Sequence, residues 1–214
     1  MKTGLETPIT VGAGNKVATL VADMTMSLDG FIALPNDDVG PLFDWYLTGP
    51  VETPSASEEF TYKTDEKSAA ELREAPQTIG ALICGRRLFD HTQGWGGHHP
   101  AGCPVIVVSH SVPKGWPREG IPFHFVDSVE KAVALATEIA GDRIVAIATP
   151  TITQQCINLG VLDVLRVNLA PVLLGSGIPW FANLKDAPIL LEDPDVSEGL
   201  RVTHLTYRMR RGEI

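Results

Sequence analysis

Through about residue 160 the chain repeats one pattern, a short apolar run followed by a helical segment, and this alternation constrains the fold more than any other feature. The runs are Val17 to Ser27 (VATLVADMTMS), Thr78 to Cys84, Pro104 to Ser109, Pro122 to Val126 and Ile144 to Ala148. Between them lie a helix over Asp65 to Ala75 ended by Pro76, a short one from Gly85 to Asp90, one over Ser128 to Ala140 with Ser128 as N-cap and Gly141 after its end, and one over Pro150 to Leu159 closed by Gly160. Parallel strands need such crossovers, so the alternation predicts an α/β protein with a largely parallel sheet and helices on both faces. PVIVVS is apolar throughout, as a strand buried on both faces would be. After residue 160 the pattern changes. Asp163 to Leu174, Pro188 to Leu191 and Leu200 to Arg210 read as strands with no long helix between them, and Gly175-Ser176-Gly177 as a turn. They predict an antiparallel hairpin closing one sheet edge. Leu42 to Leu47 is a short helix, Phe31 to Ala33 a return to extended chain, and Pro35 to Pro41, Gly49 to Ser57 and Gly94 to Gly102 are loops.

The 214 residues suit one domain, 17–214, preceded by a polar, Gly-rich extension, 1–16, that reads as flexible. With 44% hydrophobic and 20% charged residues, the chain is an ordinary globular protein. It has no apolar run near the roughly 18 residues of a membrane helix, and no partner membrane is expected. Net charge is −9, and Lys and Arg gather only at Arg86-Arg87 and at Arg208, Arg210 and Arg211. That is no footprint for nucleic acid. Cys84, Cys103 and Cys156 are widely spaced and form no C-x-x-C pair, which favours free thiols in the cytoplasm and no structural zinc. His91, His98, His99 and His124 form no closed metal-ligand set, and His98-His99 reads as solvent-facing.

In open α/β sheets ligands bind beyond the carboxyl ends of the strands, where helix N-termini offer N–H groups to anions. Three strand ends qualify. At Cys84-Gly85-Arg86-Arg87-Leu88, a glycine lets a ligand approach the backbone, and two arginines stand in a first helical turn, where the helix dipole disfavours them. An expected anion explains that placement. So does a surface pair held by carboxylates. Ser109-His110 could hold a phosphate or ribose, or could be an ordinary turn. At Ala148-Thr149-Pro150-Thr151, Pro150 suits a first helical position but removes an N–H, which the hydroxyls of Thr149 and Thr151 could replace. A well-capped helix with no ligand explains this segment equally well. Asp29, in Ser-Leu-Asp-Gly after the first strand, could face a cleft or could simply form the turn. Asp44, beside Trp45, could flank the same cleft. There is no G-x-S-x-G elbow, G-x-G-x-x-G or P-loop.

Four segments, in order, resemble the dihydrofolate reductase superfamily, in particular the branch that includes the C-terminal reductase domain of riboflavin biosynthesis. They are MSLDGFIA (Met26 to Ala33), ICGRRLFD (Ile83 to Asp90), GVLDVLRVNLAPVLLGSG (Gly160 to Gly177) and VTHLTYRMR (Val202 to Arg210), within a likeness running from Val17 to Arg211. The resemblance implies a three-layer, mixed but mostly parallel sheet with a C-terminal antiparallel hairpin, and NADPH as cofactor. It implies that Gly85, Arg86, Arg87 and Leu88 meet the phosphates and the adenine-ribose end. Leu88 stands where family members often have a hydroxyl. Ser109 and His110 fall at the 2′-phosphate region, and Thr25, Ile32 and Ala33 at the wall around the nicotinamide. Asp29 matches the aspartate that borders the substrate cleft. The departure is at Ala148-Thr149, which stand where the family carries Gly-Gly, often with a cis peptide between them.

The resemblance implies an NADPH-dependent oxidoreductase passing hydride to a small heterocyclic or carbonyl substrate, with Asp29 and Asp44 as polar groups near it. The competing reading is a non-catalytic small-ligand-binding protein on the same fold, its dinucleotide site lost with the glycine pair. In either case the apolar C-terminal strands favour a homodimer.

Overall fold

The computed structural model describes residues 18–58 and 60–210. The extension 1–16 therefore lies outside the described residues, as do Val17 and Arg211.

Eight strands form one sheet in the order β11-β12-β9-β1-β8-β5-β6-β7. Its parallel part is β1 (Thr19–Ser27), β5 (Ile79–Gly85), β6 (Val105–Val108), β7 (Phe123–Val126), β8 (Ile144–Ile147) and β9 (Val164–Ala170). The antiparallel edge is β12 (Val202–Arg208), paired with β9, and β11 (Asp195–Gly199), paired with β12. The expected mixed sheet with its C-terminal hairpin is present. Two two-stranded ribbons flank it: β2 (Phe31–Ala33) with β10 (Ile178–Pro179), and β3 (Val51–Pro54) with β4 (Thr61–Thr64).

The helices are α1 (Glu66–Thr78), α2 (Arg86–His91), α3 (Val129–Ala140) and α4 (Pro150–Asn158), with a 3-10 turn over Gly40–Tyr46. The starts of α1, α3 and α4 have local causes. The Asp65 carboxylate accepts from the N–H groups of Lys67 and Ser68, Ser128 Oγ accepts from Lys131 N–H, and Pro150 occupies the first position of α4. The core lies on both sides of the central strands. One cluster gathers Leu20, Ala22, Ile83, Ile106, Val145 and Ile147 with Ala132 and Ala136 of α3, and the other joins Leu82, Val105 and Val107 to Phe89 and Phe123.

The structure corrects three sequence expectations and adds a strand the pattern did not mark. Pro76 does not end α1: it sits in the last turn, and the helix runs on to Thr78, whose hydroxyl donates to the Glu74 carbonyl. Near a C-terminus a proline forfeits a single backbone bond. The segment read as a loop over Gly49 to Ser57 contains β3, whose ladder with β4 supplies what its unpatterned sequence does not. Pro188 to Leu191 is no strand and contributes only the single bridge of Leu191 to Met209. The true edge strand is β11, a polar DVSEG segment that no apolar alternation marks, since an edge strand need bury neither face deeply. Among the described residues no helix is long and apolar enough to cross a membrane.

Helix α3 lies on β5 with almost no clearance at Gly80, where an added Cβ would come within 2.6 Å of Ala140 Cα and 2.7 Å of its Cβ. Gly80→Val is expected to destabilise the protein by about 1–3 kcal/mol through overpacking, read as a lower urea midpoint at unchanged slope.

Candidate functional site

A cleft of about 1270 Å³ runs along the carboxyl ends of the central strands. On the side of β8, β5 and β6 it is lined by Gly85 to Leu88, Val108 and Ala148 to Ile152. Towards β9 and β12 it is lined by Asp23, Thr25, Ile32, Ala33, Arg166, Asn168, His204 and the rings of Phe43, Trp45 and Tyr46.

On the first side, Thr149 stitches two strand ends together: its Oγ1 accepts from the Gly85 N–H at 3.2 Å. The hydroxyl's own hydrogen remains available to the cleft. A Cβ at Gly85 would lie 3.6 Å from Thr149 Oγ1, an ordinary contact, so internal packing does not demand glycine there. Its missing side chain leaves room on the cleft side. Thr149 has an ordinary extended backbone (φ −141, ψ 145), and neither Ala148-Thr149 nor Thr149-Pro150 is cis. Thr151 lines the same stretch.

Arg86 and Arg87 both have carboxylate partners. Arg86 Nε donates to Asp90 at 2.8 Å, while its Nη1 reaches the Ser111 carbonyl at 3.0 Å and Ser109 Oγ at 3.3 Å. Arg87, largely exposed, pairs with Asp37 at 2.7 Å. Ser109, His110, Ser111 and Arg86 line a small adjoining depression. The bland account of the arginine pair therefore holds in part, with Arg86 also turned towards Ser109. Leu88 lines the cleft with an apolar side chain.

The expectation that Asp29 and Asp44 face the cleft is corrected. Asp29 accepts from the Leu174 and Gly175 N–H groups at 3.1 and 2.7 Å, binding its turn to the loop after β9. A bond from the Ser27 side chain, and then those two backbone bonds, hold its pKa below the ordinary value. Asp44 is exposed, its carboxylate 4.0 Å from Arg201 Nη2. Neither lines the cleft. His99 does line it and is half-buried, not solvent-facing. Its Nδ1 accepts from Ala101 N–H, its ring packs edge-on to Trp95, and burial pulls its pKa down to about 4. The three cysteines are buried thiols, with burial pushing Cys84 and Cys156 up to about 12 and Cys103 up to about 11.

Sequence reasoning missed the polar groups at the other end. Strand register sets them in rows: Asp23 opposite Arg166 opposite Thr206, and Thr25 opposite Asn168 opposite His204. Asn168 Nδ2 donates to Asp23 Oδ1 at 2.8 Å, Arg166 Nη1 lies 3.5 Å from Asp23 Oδ2, and Trp45 Nε1 donates to Thr25 Oγ1 at 3.3 Å. Burial raises the Asp23 pKa above its ordinary value despite Arg166 and Asn168. Tyr46 is raised as well, by burial and then by the Asp23 charge. A signal existed: each of the three apolar strands carries polar residues two apart, in VADMTMS, VLRVNLA and VTHLTYR.

No family model matches the chain, and no curated protein matches it in sequence. Solved structures do. A Shewanella sp. PV-4 structure described as a riboflavin biosynthesis protein superposes with a TM-score of 0.63 at 20% identity, over 90% of this chain and 99% of that one. Dihydrofolate reductase from Enterococcus faecalis, solved in complex with NADP(H) and RAB-propyl, gives a TM-score of 0.56 at 16% identity, over 91% of this chain and 99% of that one. The Thermotoga maritima diaminohydroxyphosphoribosylaminopyrimidine deaminase/5-amino-6-(5-phosphoribosylamino)uracil reductase gives 0.61 at 15%, over 91% of this chain but 57% of that longer one. The chain has the dihydrofolate reductase fold.

On this dihydrofolate reductase fold the polar end is braced from α1. Asp65 caps α1 and its Oδ2 accepts from both Ser68 Oγ and Leu200 N–H, tying the helix to the edge hairpin. Burial pushes its pKa up, but those bonds outweigh it and hold the carboxyl at about 2. A carboxyl depressed below its unfolded value of about 3.9 stabilises the fold above that pH and loses its contribution as pH falls towards the folded value. Asp65→Ala is expected to cost about 1 kcal/mol near neutral pH. The gap to the native protein should close as pH falls from about 4 to 2, as followed by denaturant titration at each pH.

Proposed function

We propose that the protein is an NADPH-dependent reductase acting on a small heterocyclic or carbonyl substrate. The observation that carries the reading is the cleft with two unlike ends at the strand carboxyl termini: a glycine, threonine hydroxyls and an arginine at β5 and β8, and an apolar wall with one partly buried carboxyl at β1 and β9. The dihydrofolate reductase fold supports it, and the Enterococcus faecalis neighbour carries NADP(H) in its complex.

The residues present fit a dinucleotide. Gly85 leaves room that packing does not need, and Thr149 offers a hydroxyl hydrogen where glycine N–H groups are absent. The hydroxyls of Thr149 and Thr151 would hold the pyrophosphate, with Gly85, Leu88 and Ala148, whose N–H is given to the Ile83 carbonyl, along its path. Arg86, Arg87, Ser109 and His110 would hold the adenine-ribose end. Arg86 can keep Nε on Asp90 while Nη1 exchanges its serine partners for a phosphate oxygen. Thr25, Ile32 and Ala33 would form the wall beside the ring, where their burial excludes water. Bound there, NADPH supplies the hydride. Asp23 replaces Asp29 and Asp44 as the carboxyl facing the substrate.

A second reading has one observation in its favour. Pro150 has no N–H, and the Gly85 N–H is already given to Thr149, so this strand end offers an anion fewer backbone donors than its position would allow. A binding protein on a reductase fold would have that property.

Thermal unfolding separates the two. NADPH at 100 times its Kd should stabilise the protein by about 2.7 kcal/mol, a visible rise in Tm, with NADH weaker because it lacks the phosphate that Arg86 would hold. No shift with either cofactor overturns the reductase reading. Thr149→Val keeps the shape and deletes the hydroxyl. Loss of a charge-assisted bond worth about 1.5 kcal/mol should weaken NADPH roughly tenfold.

A further inference from the structure

A line of hydrogen bonds crosses the interior behind the cleft: Asp23, Asn168, His204, Ser68, Asp65. The steps are Asn168 Nδ2 to Asp23 Oδ1 at 2.8 Å, His204 Nδ1 and Asn168 Oδ1 at 2.7 Å, His204 Nε2 and Ser68 Oγ at 3.1 Å, and Ser68 Oγ to Asp65 Oδ2 at 2.8 Å. Its three middle members are buried, with His204 only 4% exposed.

A carboxylate stands at each end, and a carboxylate only accepts. At one end, with Asp23 ionised beside Arg166, Asn168 must turn its NH2 towards Asp23, since the flipped amide would set oxygen against the carboxylate oxygen at 2.8 Å. Its carbonyl oxygen then faces His204 Nδ1, which must carry a hydrogen. At the other end the single Ser68 hydrogen goes to Asp65, which also accepts from Leu200 N–H. Ser68 Oγ then offers His204 Nε2 only a lone pair, so Nε2 must carry a hydrogen too.

We propose that His204 is a buried imidazolium acting as a positioning residue for Asp23. With both ring nitrogens donating, it fixes the Asn168 amide so that Asp23 meets the cleft as an oriented, acceptor-only carboxylate. Such a group selects a substrate that presents N–H or O–H donors over one presenting only a bare carbonyl. The charged and titratable groups around the line are Asp23 on β1, Arg166 on β9, Asp65 and Glu71 on α1, Tyr46 on the 3-10 turn and Tyr62 on β4. Among the groups just named, Arg166 is the other cation, and it lies beside Asp23. Only the substrate preference rests on the reductase reading.

The test is made on the full chain without cofactor or substrate, so a failure to bind NADPH leaves it intact. Ring-15N-histidine NMR near neutral pH should show both His204 nitrogens protonated, assigned by loss of the signals in His204→Gln. Ser68→Ala removes the acceptor at Nε2, and its ring should lose that hydrogen while keeping the one on Nδ1. Ser68→Thr should restore the native pattern. The Asp23 carboxyl, followed by 13C, should titrate at higher pH in His204→Gln than in the native protein. A neutral ring in the native protein overturns the proposal. So does an Asp23 titration that His204→Gln leaves unmoved, because a residue that merely fills space would leave it there.

Discussion

Strand β1 pairs in parallel with β8 on one side and β9 on the other, and the site depends on that double pairing. A strand hydrogen-bonded along both edges and packed on both faces cannot slip, because a shift of one residue would turn Asp23 and Thr25 into the opposite layer and bring Ala22 and Met24 out. Its register with β9 and β12 places polar residues of three distant segments in adjacent rows. Its register with β8, and that of β8 with β5, brings Ala148-Thr149 beside Gly85. One strand thus joins the two unlike ends of the cleft.

The polar end is an interior solution to a burial problem. Asp23, Asn168, His204 and Ser68 are costly to remove from water unless their donors and acceptors are matched, and here nearly every one has a partner. The line ends at Asp65, which also starts α1 and anchors the edge hairpin through Leu200. Helix capping, hairpin docking and presentation of the cleft carboxyl are therefore linked through one set of hydrogen bonds.

Much of the fold was legible because burial leaves periodic traces. Wherever a strand lies in the middle of the sheet or a helix packs on it, as for VIVV or the capped α3, the apolar pattern marks it. The elements that escaped, β3, β4 and β11, lie at edges or in a ribbon, where pairing with a neighbour rather than burial selects the conformation. The end of the cleft at Gly85, Arg86 and Thr149 was legible for a similar reason: these residues lie at strand-to-helix junctions, which local patterns locate. Asp29 misled because an aspartate before glycine reads alike whether it faces a cleft or clasps a backbone loop. The N–H groups of Leu174 and Gly175, about 145 residues away, decide between the two.

The alternation of strand and helix, the change to antiparallel strands near the C-terminus and the strand-to-helix junctions are all written in the chain's local order. Each is a local property, set by periodicity of 2 or 3.6 and by capping chemistry within a few residues. Which carboxyl faces the cleft and which side chains meet the two ring nitrogens of His204 are matters of tertiary structure alone. Those outcomes depend on strand order and register, which bring Asp23, Asn168 and His204 together across segments that no local pattern relates.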